Sequence, residues 1–224
     1  LAGSGSPFVG FGPLSQAPAV PSLVPTPANR LLIERMVAPM DTLDAIYSRQ
    51  SIGKVKPDPL PRILIEQLLS AAVQAPNHHR VRPWRFIVLS SAARERLGDV
   101  MAESKRLSAP ETPASLLDVE RSRPLRAPVI IAVGVDKPSE PKVLEVENIC
   151  AAAAAVQNLL LAATDLGLGA IWRTGPAALD PRVKQFLGLA PDQHLIGLIY
   201  LGYPEGEHLR QERPGFEDRT TWMG

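Results

Sequence analysis

Helical spacing of the hydrophobic residues predicts three long helices and two short ones. Asp41 and Asp180 each precede a short run with helical periodicity. Both suit an N-cap, because a carboxylate accepts hydrogen bonds from the free amides of a first helical turn. In the long segments, apolar side chains recur every three or four positions. These segments are Arg62–Ala75, Ala92–Arg106 and Glu145–Leu166.

Short, uninterrupted apolar runs predict strands that are buried on both faces. They occupy Arg85–Ser90, Val129–Val135 and Leu195–Leu201, and a shorter strand begins at Ala170. Helices and strands do not alternate regularly, as they would in a parallel βαβ fold. The pattern therefore predicts the α+β class, with a sandwich of helices packed on a sheet.

The segment Glu145–Leu166 is apolar on every side at its centre, Ala151–Ala155. An all-round apolar helix belongs in a core, against a partner subunit or in a membrane. The membrane alternative stays open, because residues 149–171 carry a single charge. We favour the core or partner helix, since Gln157 and Asn158 interrupt the apolar surface and alanine is a weak membrane residue.

Residues 1–39 differ in composition from the rest of the chain. They hold seven prolines, four glycines and three charges, and no regular period precedes Asn29. We expect a Pro/Gly-rich, disordered N-terminal arm over residues 1–39 and a folded domain over 40–224. A secretory signal is not expected, because an early basic region is missing. A transit peptide and an over-extended reading frame ahead of Met40 remain open.

Charge and cysteine usage exclude several classes of protein. The chain has 24 basic and 23 acidic residues, and from Met40 onward the counts are 22 and 22. A neutral body lacks the basic field of a general nucleic-acid binder. Cys150 is the single cysteine, so no intrachain disulfide or cysteine-based zinc cluster can form. We expect Cys150 to be a buried hydrophobe and the protein to be cytoplasmic.

Familiar catalytic motifs do not account for the chain. Gly167 and Gly169 follow a helix rather than a strand, and Trp172 stands where a dinucleotide fingerprint needs glycine. The sequence contains no Walker phosphate loop and no Gly-x-Ser-x-Gly elbow. The four histidines have no metal-ligand spacing, so we expect no metal site.

Three polar clusters are the candidates for a binding site. Arg49–Ser51 sets a guanidinium beside a hydroxyl, which suits a phosphate or polyol. Gln74–Trp84 is a polar loop between a helix and a strand, and Trp172–Gly175 joins an aromatic, a cation and a hydroxyl at a strand end. A solvated helix end, a hydrogen-bonded turn and an ordinary strand-end turn are the respective structural alternatives.

Taken in order and spacing, these clusters carry a family resemblance. The motifs are Met40–Ser51 (MDTLDAIYSRQS), Ala75–His78 (APNH), Pro83–Val88 (PWRFIV), Arg126–Ile131 (RAPVII), Gly169–Gly175 (GAIWRTG) and Gly197–Pro204 (GLIYLGYP). The chain resembles the nitroreductase-like FMN-dependent family, and within it the short, single-domain NAD(P)H nitroreductases of the YdjA type. The likeness covers Met40 to Trp222 and leaves out the arm.

The resemblance implies a fold, an assembly and a cofactor. The fold would be an α+β sandwich of helices on a central mixed or antiparallel sheet, forming an intertwined homodimer. Residues 40–224 would be the FMN-binding domain. Two FMN molecules would lie at the subunit interface, each touched by both chains, with NAD(P)H as a transient electron donor.

The resemblance also implies roles for the residues of the three clusters. Arg49, Gln50 and Ser51 of one subunit would hold the phosphate and ribityl groups. From the other subunit, Gln74 and His78 would lie by the flavin, and Trp172, Arg173 and Thr174 would reach the same flavin. The family often has Arg or Lys where Gln50 stands, so a second phosphate cation is expected. Its candidates are Arg213, Arg219 and Lys54, and His79 is expected to line the substrate side.

The implied activity is that of an FMN-dependent NAD(P)H oxidoreductase. Hydride would pass from NAD(P)H to the flavin and then, by a ping-pong mechanism, to a nitroaromatic, a quinone or another small acceptor. The flavin would carry the chemistry, so no protein acid or base is named as catalytic. Alternatives are a dehalogenase or flavin-cleaving enzyme of the same superfamily and a non-catalytic flavin-binding module. Nucleic-acid and membrane partners are not expected.

Overall fold

The computed structural model describes residues 40–176, 180–208 and 211–224, and the arm predicted over residues 1–39 lies outside them. Within the described residues there are six α-helices and four β-strands. The helices are α1 (Thr42–Ser48), α2 (Arg62–Ala72), α3 (Ala92–Ser108), α4 (Ala114–Ser122), α5 (Glu145–Asp165) and α6 (Pro181–Phe186). The strands are β1 (Trp84–Ser90), β2 (Val129–Val135), β3 (Gly169–Arg173) and β4 (His194–Gly202). Short 3₁₀ turns cover His78–Arg80, Arg123–Arg126 and Glu217–Arg219.

The predicted N-caps and element types are confirmed. The Asp41 carboxylate accepts a hydrogen bond from the Leu43 amide at 2.9 Å at the start of α1. The Asp180 carboxylate accepts one from the Arg182 amide at 2.7 Å at the start of α6. Both contacts satisfy amides that a helix leaves unpaired in its first turn. The α+β class predicted from the hydrophobic pattern is thus the observed one.

The sheet is wholly antiparallel, with strand order β1-β2-β4-β3. β2 lies between two strands and is buried along its full length. β1 is an edge strand, and the prediction that it is buried on both faces was wrong. Only Trp84 and Leu89 are buried in it, and Val88 is exposed. An apolar run marks a strand but does not distinguish a central strand from an edge strand.

Alternation along the strands divides the core into two layers. Ile131 and Val133 of β2 face helices α2 and α5, whereas Ile130 and Ala132 face α3 and α6. Neighbouring side chains point to opposite faces of a strand, so each central strand contributes to both layers. The result is a sandwich of helices on both faces of the sheet.

α5 is the core helix of one layer. Its buried face includes Ala152, Ala155, Val156 and Leu159, all fully buried. Among the helices of the described residues, α5 is the one long and apolar enough to cross a membrane by length and composition. Its packing on the sheet and on α2 is that of a core helix, as the sequence analysis favoured. Cys150 is exposed, so the prediction that its thiol is buried was wrong.

Polar residues of α5 are explained by specific contacts. The Asn158 side-chain amide donates to the carbonyl of Ala71 in α2 at 3.3 Å. In the last turn, the Asp165 carboxylate accepts from the Met40 amide at 2.8 Å, which ties the start of α1 to this helix. These contacts fix α1 and α2 relative to the sheet that α5 covers.

α4 packs closely on α3 because a glycine faces its last turn. A Cβ at Gly98 would lie 2.1 Å from the carbonyl oxygen of Arg121. Real side chains do not approach a backbone atom so closely, so this position needs glycine. The contact holds the end of α4 against α3 and thereby places the turn Arg123–Arg126 that follows.

Candidate functional site

The chain segment after α1 lies along the outer edge of the sheet. The Ile52 amide donates to the Ala170 carbonyl of β3 at 2.9 Å, and the Lys56 amide donates to the Tyr203 carbonyl at 2.8 Å. Glycines make room for this approach, since a Cβ at Gly169 would lie 2.9 Å from the Ile52 side chain. The segment therefore brings the end of α1, and Arg49–Ser51 with it, to the β3 edge.

Arg49 and Arg213 meet at this edge, and neither has a carboxylate partner in the part of the chain that the structure describes. A guanidinium nitrogen (Nη2) of Arg213 donates to the Arg49 carbonyl at 3.0 Å. Partial burial, and secondly the positive charge of Arg213, lower the pKa of Arg49 below its ordinary value. Within residues 40–176, 180–208 and 211–224, neither arginine forms an ion pair. Two like charges held together in this way form a ready site for an anion such as phosphate.

The other two candidates for a second phosphate cation are engaged elsewhere. Lys54 lies 3.7 Å from the Glu205 carboxylate, and Arg219 lies 3.1 Å from the Asp218 carboxylate. Both are exposed surface pairs. Of the three candidates named from the sequence, Arg213 alone approaches Arg49 in the described contacts.

Gln50 and Ser51 lie next to Arg49 in the chain, and these residues together with Arg213 form one corner of the site. The Gln50 side-chain amide lies 3.5 Å from the His208 carbonyl, a long hydrogen bond that links α1 to the C-terminal tail. Ser51 is exposed and its hydroxyl has no hydrogen-bond partner among the described residues. Its oxygen is free to bind a polar ligand.

Arg173 reaches the same corner from β3. A Cβ at Gly53 would lie 3.3 Å from Nη2 of Arg173, so the glycine leaves space for this guanidinium. The carbon of the guanidinium lies 5.4 Å from the centre of the Tyr200 ring. Its buried Nε has no partner in the described structure. A bound ligand could supply the hydrogen-bond acceptor that this buried donor lacks.

Trp172 has a structural role that sequence reasoning did not anticipate. Its indole nitrogen donates to the Ile196 carbonyl at 3.0 Å. The register between β2 and β4 shifts at Ile196, which leaves this carbonyl outside the regular ladder. A Cβ at Gly197 would lie 2.1 Å from the indole nitrogen, so glycine is needed beneath the ring. The indole donor is therefore already used, and Thr174, past the strand end, is exposed.

Gln74 and His78 lie at a different place in the chain. Gln74 is exposed just after α2, and His78 Nε2 lies 3.6 Å from the Glu147 carboxylate in the first turn of α5. α1 is tied to Asp165 in the last turn of the same helix. Eighteen residues of helix span about 27 Å. Among the described residues of one chain, no contact joins Gln74 or His78 to Arg49.

The loop that carries His78 has a strained backbone. His79, Arg80 and Arg82 have φ angles of 52°, 55° and 51°, in the left-handed region that non-glycine residues rarely adopt. The Asn77 side-chain oxygen holds the loop by accepting from the Arg82 amide at 2.9 Å. Such strain clusters at ligand-binding positions. A mainly apolar cavity of about 630 Å³ lies beside this loop and is lined by Asn77, His78, Val146, Cys150 and Ala154.

Sequence reasoning missed several residues of these sites. Gly53 and the His208 carbonyl carry no sequence signal, because their contacts arise only from the fold. Arg123 and Arg126 line a cavity beside Arg173. Both belong to the 3₁₀ turn after α4, and Arg126 was named only as the first residue of the family motif Arg126–Ile131. The run of basic residues there was the signal that could have identified them.

Comparisons with known proteins converge on one family. Residues 46–203 match the model of the Nitroreductase family. The chain is 32% identical over 181 residues to "Putative NAD(P)H nitroreductase YfhC" of Bacillus subtilis, covering 80% of this chain and 93% of that protein. It is also 32% identical over 167 residues to "Putative NAD(P)H nitroreductase YdjA" of Escherichia coli, covering 74% and 90%.

Solved structures show the same fold. A nitroreductase-like family protein from Bacillus cereus superposes with a TM-score of 0.73 at 23% identity, over 84% of this chain and 98% of that one. A nitroreductase-type protein from Desulfovibrio desulfuricans, solved in complex with FMN, gives a TM-score of 0.62 at 29% identity, over 79% and 94%. The sandwich fold expected from the resemblance is confirmed.

The structural role of Trp172 can be tested by removing its donor. Trp172→Phe should lower the free energy of unfolding by about 1 kcal/mol, because the Ile196 carbonyl loses its partner. Urea denaturation measures the change. Tyr203→Phe is the control, since this hydroxyl has no partner among the described residues, and it should change stability by less than about 0.5 kcal/mol. Equal stability of wild type and Trp172→Phe would contradict the assignment.

Proposed function

The chain belongs to the nitroreductase family, and we propose that it is an FMN-dependent NAD(P)H oxidoreductase acting on nitroaromatics, quinones or similar small acceptors. The family and its named relatives make it an oxidoreductase. FMN in the Desulfovibrio protein supports the choice of cofactor. The observation that carries the proposal is the adjacent pair Arg49 and Arg213, neither of which forms an ion pair among the described residues.

The FMN phosphate is assigned to this pair of arginines. A phosphate between the two guanidinium groups would remove their mutual repulsion and accept charge-assisted hydrogen bonds from both. Ser51, exposed and unpartnered two residues after Arg49, is placed to donate to the phosphate or a ribityl hydroxyl. Gln50 is assigned to the ribityl group, and its contact with His208 keeps the tail over the site.

The isoalloxazine ring is assigned to the side of Arg173. Reduction adds negative charge to a flavin, and a fixed cation nearby favours it. The buried Nε of Arg173 is available to an acceptor atom on the ring. Thr174 can contact the ring edge, whereas Trp172 acts by holding the strand end in position.

The assignment of residues to subunits changes from that expected from the resemblance. Arg173 lies against Gly53 in one chain, so we assign Trp172, Arg173 and Thr174 to the same subunit as Arg49. Gln74 and His78 stay assigned to the partner subunit. His78 contacts the first turn of α5, whereas α1 is anchored at the last turn of that helix.

Exposed apolar surface supports the homodimer. Leu43 on α1 is 59% exposed, and in the tail Phe216, Trp222 and Met223 are 62%, 85% and 94% exposed. Large apolar side chains exposed to water, such as Trp222 and Met223, are unfavourable, and a second copy of the chain would cover them. An intertwined dimer of this kind also brings His78 of the partner subunit to the flavin.

The cofactor supplies the chemistry, and the chain supplies position and charge. The chemistry that bound FMN would supply is hydride transfer from NAD(P)H to the acceptor. The chain's own residues fix the phosphate, orient the ring edge and add positive charge next to it. A dedicated acid or base is not needed for these roles. We also propose a cytoplasmic location, with the single thiol that a reducing compartment tolerates.

Removal of the phosphate cations tests the proposal. Arg49→Ala and Arg213→Ala should each raise the Kd for FMN about 10- to 150-fold, as expected for the loss of about 1.5–3 kcal/mol of charge-assisted hydrogen bonding. FMN fluorescence quenching measures the Kd. Arg182→Ala, an exposed arginine of α6, is the matched control and should leave the Kd unchanged. Unchanged affinity in both site variants would reject the phosphate assignment.

A mixed dimer tests the division of the site between subunits. We expect little FMN in homodimers of Arg49→Ala and in homodimers of the double variant Gln74→Ala/His78→Ala. A dimer with one protomer of each type contains one intact site and should bind about half the wild-type amount of FMN. Differently tagged protomers allow that species to be isolated. If each site were built from one chain, the mixed dimer would bind no more FMN than the variants.

A further inference from the structure

A cavity of about 440 Å³ opens beside β3 on the side of the sheet covered by α3 and α6. Its size falls in the range of small-molecule sites. Arginine side chains dominate its charge. We call it the arginine pocket and define it by Arg123 and Arg126 of the turn after α4, Arg173 of β3, and Tyr200 of β4.

The positive charge of the arginine pocket is not balanced. Glu120 is the one carboxylate among the described lining residues, and it pairs with Arg123 at 2.9 Å. Arg126 and Arg173 form no ion pair among the described residues. A half-enclosed cavity with two uncompensated guanidinium groups favours an anion over a neutral molecule.

Tyr200 shows that the three cations converge. Burial raises the pKa of the Tyr200 hydroxyl, and the charges of Arg173, Arg126 and Arg123 each pull it back down. Three guanidinium groups therefore act on the hydroxyl of one residue that lines the pocket with them. This hydroxyl can donate a hydrogen bond to the same anion that the arginines attract.

The pocket adjoins the corner assigned to FMN. Arg173 lines the pocket, and its guanidinium also lies against Gly53, three residues after Gln50. A molecule held in the pocket would thus lie beside the flavin. Its anionic group would be fixed by the arginines while another part of it reaches the cofactor.

We propose that the arginine pocket binds the phosphate or carboxylate group of a small-molecule substrate that reacts at the flavin. The substrate's place beside the cofactor rests on the proposed function, whereas anion binding by the pocket does not. A phosphate would come from the nicotinamide dinucleotide donor and a carboxylate from an acidic acceptor.

Direct binding to the full-length holoenzyme tests the proposal. The probes are 2′,5′-ADP and 5′-AMP for the adenosine ends of NADPH and NADH, and 4-nitrobenzoate for an acidic acceptor. Isothermal titration should show binding of at least one probe to the wild type and a loss of about tenfold in Arg126→Gln. Binding of none of the three by the wild type would overturn the proposal.

Arg96→Gln is the matched control. Arg96 is exposed on α3, outside the pocket lining, and has no interaction among the described residues. Its substitution removes the same charge and should leave the affinity for the probe unchanged. An equal loss in Arg96→Gln would show general charge attraction and contradict a specific site. Equal affinity of Arg126→Gln and wild type for the probe would also contradict a specific anion site in the arginine pocket.

Steady-state kinetics identify which substrate uses the pocket. In Arg126→Gln, KM for the matching anionic substrate should rise about tenfold more than KM for neutral nitrobenzene. NADPH, NADH and 4-nitrobenzoate are the three anionic substrates compared. Equal changes in KM for the three anionic substrates and nitrobenzene would overturn the role of the arginine pocket in recognising a charged group.

FMN content separates this proposal from the proposed function. Loss of FMN from Arg126→Gln in step with the loss of probe binding would place Arg126 in the cofactor site and overturn a separate pocket. If the wild type neither retained FMN nor oxidised NAD(P)H, the proposed function would fail. Calorimetry on wild type and Arg126→Gln would still decide whether the pocket binds anions.

Discussion

The close approach of the segment after α1 to the β3 edge is the constraint on which the candidate site depends. It needs a backbone hydrogen bond from Ile52 to Ala170 and glycine at positions 169 and 202, where side chains of this segment take the space of a Cβ. Without it, Arg49 would not meet the tail and Gly53 would not lie under the Arg173 guanidinium. The packing of this segment on the sheet edge thus brings together Arg49, Arg173 and Arg213, which come from three distant parts of the sequence.

The core explains why this edge is available. β2 and β4 fill the middle of the sheet and are covered on both sides, whereas β3 is left at the end of the strand order. α5 covers one face and anchors α1 through Asp165 and α2 through Asn158. The other face carries α3 and α4, whose close contact at Gly98 sets the turn bearing Arg123 and Arg126. The two cationic regions therefore meet at Arg173, which serves both.

Much of this organisation could be predicted from the sequence, because helices and strands are set by local periodicity and by caps such as Asp41 and Asp180. The position of each helix, strand and side chain in the folded protein could not be predicted in this way. The apolar run of β1 looked like a central strand but lies at an edge, and Cys150 looked buried from the composition around it but is exposed. Motif order identified the family and named Arg49 and Arg173. It did not show that the Arg173 guanidinium lies against Gly53, four residues after Arg49, or that the Trp172 indole already donates a hydrogen bond to the Ile196 carbonyl. Those facts depend on strand register, which no short motif encodes.

The visible absorption spectrum of the purified protein, recorded before and after anaerobic addition of NADPH or NADH, tests whether the chain is a flavin-dependent NAD(P)H oxidoreductase. We expect flavin bands that bleach when the nicotinamide donor is added and return with a nitroaromatic or quinone acceptor. A protein that binds FMN but is not reduced by either donor would be a flavin-binding module. A colourless protein that also fails to take up added FMN would contradict the assignment of Arg49, Arg213 and Arg173 to a flavin site.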